Sequence, residues 1–275
     1  MPASLVLGHM ACQPLTPAGT CRAEVQTKEP FMKITVIGAG AIGGNLARRL
    51  SEAGHDVMVA DARGPEAVAE EVLTAGARAV EMDAAVADRQ VIVLSIPFSV
   101  QPDLADLLAE ARGDSIIVDT SNYYPAMMGP VEAVDNGQVE SEWSQEKLRR
   151  PIVKAWNAAL AATQQTRGLP QGAPGRIAIP VAADSAEARA TVMQLVDDTG
   201  FDPFDAGVIA DSWRQQPGTP AYCTELGLED LAQALTAADK DKAPATRDRI
   251  MEHFGTLTMA PSLDETVAIN RSAHV

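Results

Sequence analysis

Aromatic side chains are scarce, 4% of the chain with three Trp, three Tyr and five Phe, which argues against a tyrosine-rich binding surface. Ala, Val, Ile and Leu dominate the 46% hydrophobic content instead, as suits helices lying on a sheet of short buried strands. Positive charge is short as well. Against 37 Asp plus Glu stand 22 Lys plus Arg, and the resulting formal charge of −15 repels a polyanion, so nucleic acid is not an expected partner. No apolar run approaches the roughly 20 residues that cross a bilayer, so no membrane span is expected. Three cysteines, Cys12, Cys21 and Cys223, cannot make a framework of paired disulfides, and a reducing, cytoplasmic setting follows as the expectation. The four histidines (His9, His55, His253, His274) are scattered without Cys or carboxylate at ligand spacing, which supports no metal site. A chain of 275 residues can bury a full core in one large or two ordinary domains.

The first 31 residues read as a flexible leader. Ser4 to Met10 is mildly apolar but lacks the basic start of a secretory signal, and Cys12 to Pro30 mixes Pro, Thr, Gly and charge without periodicity. From Lys33 the pattern changes. The run KITVI (33–37) ends in Gly38-Ala39-Gly40-Ala41-Ile42-Gly43, helix-compatible spacing follows over 45–53, and DVMVA (56–60) reads as a second buried strand. A helix near 66–74, strands at 77–80 and 90–96, a helix near 100–111 and a strand at 115–119 continue the alternation. A loop carrying Tyr123, Tyr124 and Pro125 precedes a helix at 140–148, and PIVKAW (151–156) resumes a strand. The Gly- and Pro-rich stretch 166–175 marks a boundary, after which strand, helix and strand occupy 176–182, 185–199 and 201–205, with helices beyond 208. This rhythm predicts an α/β fold: a Rossmann-type doubly wound parallel sheet over 32–168, and a smaller α/β and helical C-terminal part over 169–275 that completes a substrate cleft.

Gly38, Gly40 and Gly43 follow a strand and open a helix. That placement lets the chain turn sharply, admits a pyrophosphate against bare backbone, and aims the helix N-terminus at phosphate. Ala41 and Ile42 share the turn; the competing reading is a tight turn with no ligand. Asp61 stands 18 residues beyond Gly43 at the end of the second strand, where a ribose-binding carboxylate belongs. It favours NAD, whereas Arg63, beyond Ala62, could clamp a 2′-phosphate or be only a solvated loop charge. Ser95, Ile96, Pro97 and Phe98 end a strand at the sheet edge where a nicotinamide sits in such folds, and Ser121 and Asn122 end the next one; each group also reads as turn and cap. Arg214, Gln215, Gln216, Gly218, Thr219 and Tyr222 form a late polar cluster that could face a substrate or terminate a helix.

The segments ITVIGAGAIGGNLARRL, ARGPE (62–66), VLSIPF (93–98), DTSNYYP (119–125), VKAWN (153–157), RIAIPVAADS (176–185), GFDPFDAG (200–207) and SWRQQPGTPAYC (212–223) run in one order from 32 to about 240. In this the chain resembles the NADPH-dependent coenzyme F420 reductases and their bacterial homologues of unassigned substrate. The resemblance implies a nicotinamide in the cleft between the two parts and direct hydride transfer to a second carrier stacked on it, with NADP(H) favoured and NAD(H) possible. Coenzyme F420, a flavin, or a small carbonyl or imine is the expected acceptor, Tyr123 and the 214–222 cluster the expected substrate side, and a homodimer the expected assembly. Two features depart from the family: Asp61 and Ala62 replace a neutral residue and a Ser, and the 31-residue leader is extra. An alternative enzyme reading draws on β-hydroxyacid dehydrogenases, which place a Lys and an Asn three or four residues apart as proton donor and substrate orienter. Lys154 and Asn157, with Ser121, are the candidates, but in a strand their spacing puts the two side chains on opposite faces, so a shared role needs a break between them. A third reading is a non-catalytic NAD(P)-binding sensor.

Overall fold

The structure is a computed structural model and describes residues 32–274; the expected leader lies outside them. Eight strands form one sheet: β1 (Lys33–Ile37), β2 (Asp56–Ala60), β3 (Arg78–Val80), β4 (Val91–Leu94), β5 (Ile116–Asp119), β6 (Ile152–Lys154), β7 (Ala178–Ala183) and β8 (Asp202–Asp205). Their order is β3-β2-β1-β4-β5-β6-β7-β8, so the direction of winding reverses at the β1/β4 junction. Neighbours are parallel except β6 and β7, whose antiparallel seam is only two pairs long, Val153↔Ala183 and Lys154↔Ala182.

The strands are short and β-branched because both faces are covered. Alternate residues feed two cores: Ile34, Val36, Val91, Val93, Val118 and Val153 face one, and Ile37, Ile92, Leu94, Ile117 and Ile152 face the other. The helices are α1 (Ala41–Glu52), α2 (Glu70–Leu73), α3 (Ala105–Ala109), α4 (Pro125–Met128), α5 (Glu132–Asp135), α6 (Glu140–Leu148), α7 (Ala161–Thr166), α8 (Ala186–Asp198), α9 (Leu228–Ala237), α10 (Ala243–Thr256) and α11 (Leu263–Ser272). The first core includes Leu46 and Leu50 of α1 and Val192, Leu195 and Val196 of α8; the second includes Leu108 of α3 and Leu148 of α6. No helix among the described residues is long and apolar enough to cross a membrane.

Several elements differ from the periodicity. The expected 66–74 helix splits into a 3-10 turn (Pro65–Ala67) and the single turn α2, because Val68 and Ala69 are extended between them. The expected 100–111 helix begins as a 3-10 segment at Phe98–Leu104 and becomes α3 only at Ala105; Pro102 inside it lacks an N–H to donate. The loop after Asp119 contains the one-turn helices α4 and α5. Finally, β6 stops at Lys154, and Trp156 takes a left-handed φ of 57°, so a break does separate Lys154 from Asn157.

Candidate active site

The turn after β1 is built by two glycines for the fold and one that leaves space. Gly38 has φ +102°, and a Cβ there would lie 2.1 Å from the Ser95 carbonyl oxygen. At Gly43 a Cβ would lie 1.9 Å from the Gly38 carbonyl oxygen, so helix α1 can approach the turn only without a side chain. Gly40 is different: it is exposed, its φ is −69°, and a Cβ would meet nothing within 4 Å. It is also the N-cap of α1 and offers no side chain to the first-turn N–H groups. Bare backbone, an uncapped helix N-terminus and open space therefore coincide at the switch point of the sheet, which fits a dinucleotide pyrophosphate.

At the end of β2 the Asp61 carboxylate is already engaged. It accepts from Ala39 N (3.2 Å), and from the N (3.1 Å), Nε (2.8 Å) and Nη2 (3.1 Å) of Arg63. The Arg63 side-chain hydrogen bonds hold the acid down at about 2. The two residues expected to pull cofactor choice in opposite directions are thus one ion pair, with Asp61 nearly buried and the Arg63 side chain 70% exposed. Through Ala39, the pair also ties the tip of β2 to the glycine turn.

A buried polar network lies at the ends of β5 and β6. Lys154, fully buried, donates from Nζ to Asp119 Oδ2 (2.7 Å) and to the Ser121 carbonyl (2.6 Å). Gln101, also fully buried, donates to Asp119 Oδ1 and to Ser121 Oγ, both at 2.8 Å. Asn122 donates to the Asn157 carbonyl (3.0 Å), and Asn157 Nδ2 donates to Asn122 Oδ1 (3.0 Å) and the Gln215 carbonyl (2.9 Å). Gln215 Nε2 closes the set on Asn157 Oδ1 at 2.8 Å. Ser121, Asn122, Lys154, Asn157 and Gln215, drawn from three distant stretches of sequence, therefore meet. The break at Trp156 does not turn Lys154 outward, because its ammonium is committed to Asp119 and the Ser121 carbonyl.

Ser95 and Ile96 are partly exposed beside the glycine turn, and Ser95 N donates to the Ile37 carbonyl at 2.8 Å. Pro97 is exposed, whereas Phe98 is fully buried; it stacks on Trp143 with centroids 4.3 Å apart and tilts against Tyr123 at 5.5 Å. Tyr123 is spent on the same cluster, with its hydroxyl donating to Asp135 (2.9 Å) and accepting from Val131 N (2.8 Å).

The late polar cluster divides between two cavities. Tyr123 and Gln216 line one of about 550 Å³, while Gly218 and Tyr222 line one of about 70 Å³; Pro217 and Arg247 border both. In the smaller cavity Tyr124 donates to the Tyr222 hydroxyl at 2.9 Å, and burial pushes both phenols up. Burial likewise raises Cys223 to about 12. Gly218 lies against α10, where a Cβ would be 2.1 Å from the Ala243 carbonyl oxygen. Thr219 is buried and donates to the Gln216 carbonyl (2.8 Å). Arg214 lies 5.0 Å from the Trp213 ring and 3.5 Å from Asp211. Sequence reasoning missed Gln101, Glu140 and Arg247. Glu140 is 3% exposed and pushed up to about 7 by burial. In sequence it looks like one more first-turn acid of a solvated helix. Among the described residues no group of three His, Cys, Asp or Glu side chains could hold a metal.

Residues 33–123 match the family described as NADP oxidoreductase, coenzyme F420-dependent. Protein YjhV of Escherichia coli (strain K12) is 41% identical over 104 residues, which are 38% of this chain and 76% of YjhV. Among solved structures, protein SMa0349 from Sinorhizobium meliloti superposes with a TM-score of 0.62 at 29% identity, covering 71% of this chain and 95% of that one. A candidate F420-dependent NADP reductase from Arthrobacter sp. FB24 gives 0.53 at 20% identity, over 84% of this chain and 100% of that one. The 3-hydroxyisobutyrate dehydrogenase of Mycobacterium tuberculosis gives 0.51 at 14%, over 88% and 79%. These last two share the fold. With the glycine turn at the switch point, the doubly wound sheet and this kinship together, the chain belongs to the coenzyme F420-dependent NADP oxidoreductase family and is an NAD(P)-dependent oxidoreductase.

Proposed function

We propose that this oxidoreductase passes a hydride between NADP(H), with NAD(H) as the weaker alternative, and a second small molecule held where the 32–168 part meets the 169–275 part. Coenzyme F420, a flavin, or a small carbonyl or imine is the acceptor class. The observation that carries the reading is the space at Gly40, where bare backbone meets an uncapped helix N-terminus in a turn whose Gly38 and Gly43 pack on the partly exposed Ser95. In this reading Gly40, Ala41 and Ile42 bind the pyrophosphate, Asp61 and Arg63 meet the adenosine ribose, and Ser95, Ile96, Ser121 and Asn122 orient the nicotinamide. When bound, that ring supplies or receives the hydride; the protein aligns it and excludes water.

The Asn122–Asn157–Gln215 network supports alignment, because each amide fixes the next and none needs to change protonation state. Proton transfer by Lys154 has less support, since that ammonium is fully enclosed and its hydrogen bonds hold Asp119 and Ser121 in place. The test is oxidation of NADPH and of NADH by the full chain against deazaflavin, flavin, carbonyl and imine acceptors. Turnover with one class identifies the acceptor, while tight cofactor binding without oxidation by any of them leaves the sensor reading.

A further inference from the structure

The larger cavity belongs to neither the glycine turn nor the strand ends that would flank a nicotinamide. Its walls come from α5, the start of α6, the Trp213–Pro217 segment and the start of α10. Two buried ionisable groups, Glu140 and Arg247, border it without pairing with each other. Arg247 has a side chain only 10% exposed, and its one acceptor is Asp248, met by Nε at 2.8 Å. The guanidinium lies 5.5 Å from the Tyr123 ring, and its two Nη atoms have no protein acceptor among the described residues. Glu140, buried, accepts one hydrogen bond, from Tyr123 N at 3.1 Å. The two groups feel each other's charge, but no ion pair joins them. A third group beside them, Gln216 Nε2, is buried without a partner.

A buried guanidinium fork whose Nη donors have no protein acceptor, an unpaired amide N–H and a carboxyl across the gap make a complementary set for one chemistry. The fork matches a carboxylate in two parallel hydrogen bonds, and the cost of burying a cation is offset when it does so. A ligand cation would be repelled by Arg247. Trp213, Pro217 and Pro244 offer an apolar surface for the remainder of a small molecule, and about 550 Å³ lies within the range of small-ligand sites. We propose that this cavity is a binding site for a small organic carboxylate, anchored by Arg247 and Gln216 and bounded by Glu140. The site is independent of which acceptor takes the hydride.

The position of Glu140 adds a signature. Its carboxyl titrates at about 7, and a ligand carboxylate beside it binds best while Glu140 keeps its proton. The charged groups around it are Lys154 and Asp119 from β6 and β5, Arg247 from α10, and Asp135, Lys240 and Asp241 around the cavity.

The experiment is calorimetric titration of the full chain, without nicotinamide, using butyrate and its uncharged counterpart butyramide. Butyrate is expected to bind and butyramide to bind at least about tenfold more weakly; between pH 6 and pH 8 butyrate affinity falls about tenfold, as the protonated fraction of a group near 7 does. In Arg247→Gln butyrate binding drops at least about tenfold while NADPH affinity stays, and in Glu140→Gln the pH dependence disappears. Equal binding of the two probes, no butyrate binding at pH 6, or a folded Arg247→Gln variant that binds butyrate like the parent overturns the proposal. So does a pH dependence that survives Glu140→Gln. A Gly40→Val variant that loses NADPH but keeps butyrate separates this site from the cofactor reading.

Discussion

Replacing Gly40 by Val separates the ligand-binding role of the turn from its structural one. In the protein alone the change is nearly neutral: φ is −69°, and the added Cβ meets nothing within 4 Å. Removing a glycine from the unfolded chain gains about 0.4–1 kcal/mol, while Val at an N-cap position loses about 1 kcal/mol relative to better caps, so the two terms offset. Cofactor affinity behaves differently, since the side chain fills the space where bare backbone would meet phosphate. Loss of even one charge-assisted hydrogen bond to a helix N–H costs about 1.5–3 kcal/mol, or roughly tenfold to a hundredfold in Kd. The control is Gly43→Ala, whose Cβ would lie 1.9 Å from the Gly38 carbonyl oxygen and must push α1 off the turn, at about 1–3 kcal/mol or more. Urea unfolding and fluorescence titration with NADPH read both quantities. A Gly40→Val protein that binds NADPH as tightly as the parent refutes the placement of the pyrophosphate; one as unstable as Gly43→Ala refutes the claim that Gly40 is free of structural duty.

Three further outcomes follow from the ion pairs and the buried acid. Arg63→Ala should weaken NADPH more than NADH, and Asp61→Asn should strengthen NADPH; each effect is about 1 kcal/mol, because the Arg63 side chain is 70% exposed and screened. Cofactor titrations with unchanged affinity ratios would remove the ribose from this loop. Glu140 sits at about 7 in the folded protein against an ordinary 4.5, so its contribution to stability is complete below 4.5 and is lost as pH rises through 7. That amounts to about 3 kcal/mol. Urea unfolding from pH 5 to pH 8 should show the decline in the parent and a flatter profile in Glu140→Gln, whereas parallel profiles would contradict it. Lys154→Met should destabilise by about 3–5 kcal/mol by stranding Asp119, and Asp119→Asn in that background should recover part of the loss. No recovery would mean that the pair is not what Lys154 supports.

The first half of the fold was legible because its signals are local. Strands β1 and β2 fall on the two β-branched runs, and the glycine turn announces itself in six residues, because steric demands at Gly38 and Gly43 act within one supersecondary unit. Helix α6 matches 140–148, and α8 (Ala186–Asp198) falls within the expected 185–199, with Ser185 as its N-cap. Where proline or two extended residues cut a pattern, as at Pro102 and at Val68–Ala69, periodicity gave a longer helix than the chain could form. The antiparallel seam between β6 and β7 was invisible, since strand direction depends on how the 155–177 connection returns and not on strand composition.

The site divides along the same line, and the division explains what each candidate residue turned out to be doing. Asp61 and Arg63 look opposed when each is read alone; two residues apart on one turn, they satisfy one another. Lys154 and Asn157 look like a pair by their spacing, yet their partners, Asp119 and Gln215, lie 35 and 58 residues away. Glu140 and Arg247 carry no motif at all. They border one cavity where Gly218 lets α10 close onto the 212–220 segment, and an acid that looks solvated in sequence becomes a buried carboxyl with a single hydrogen bond, from Tyr123 N. A cofactor site held by backbone geometry is thus written in short motifs, whereas a pocket made by long-range closure is written in no motif. On this chain the residues that discriminate a second molecule are to be sought first among the buried charges the fold leaves unpaired.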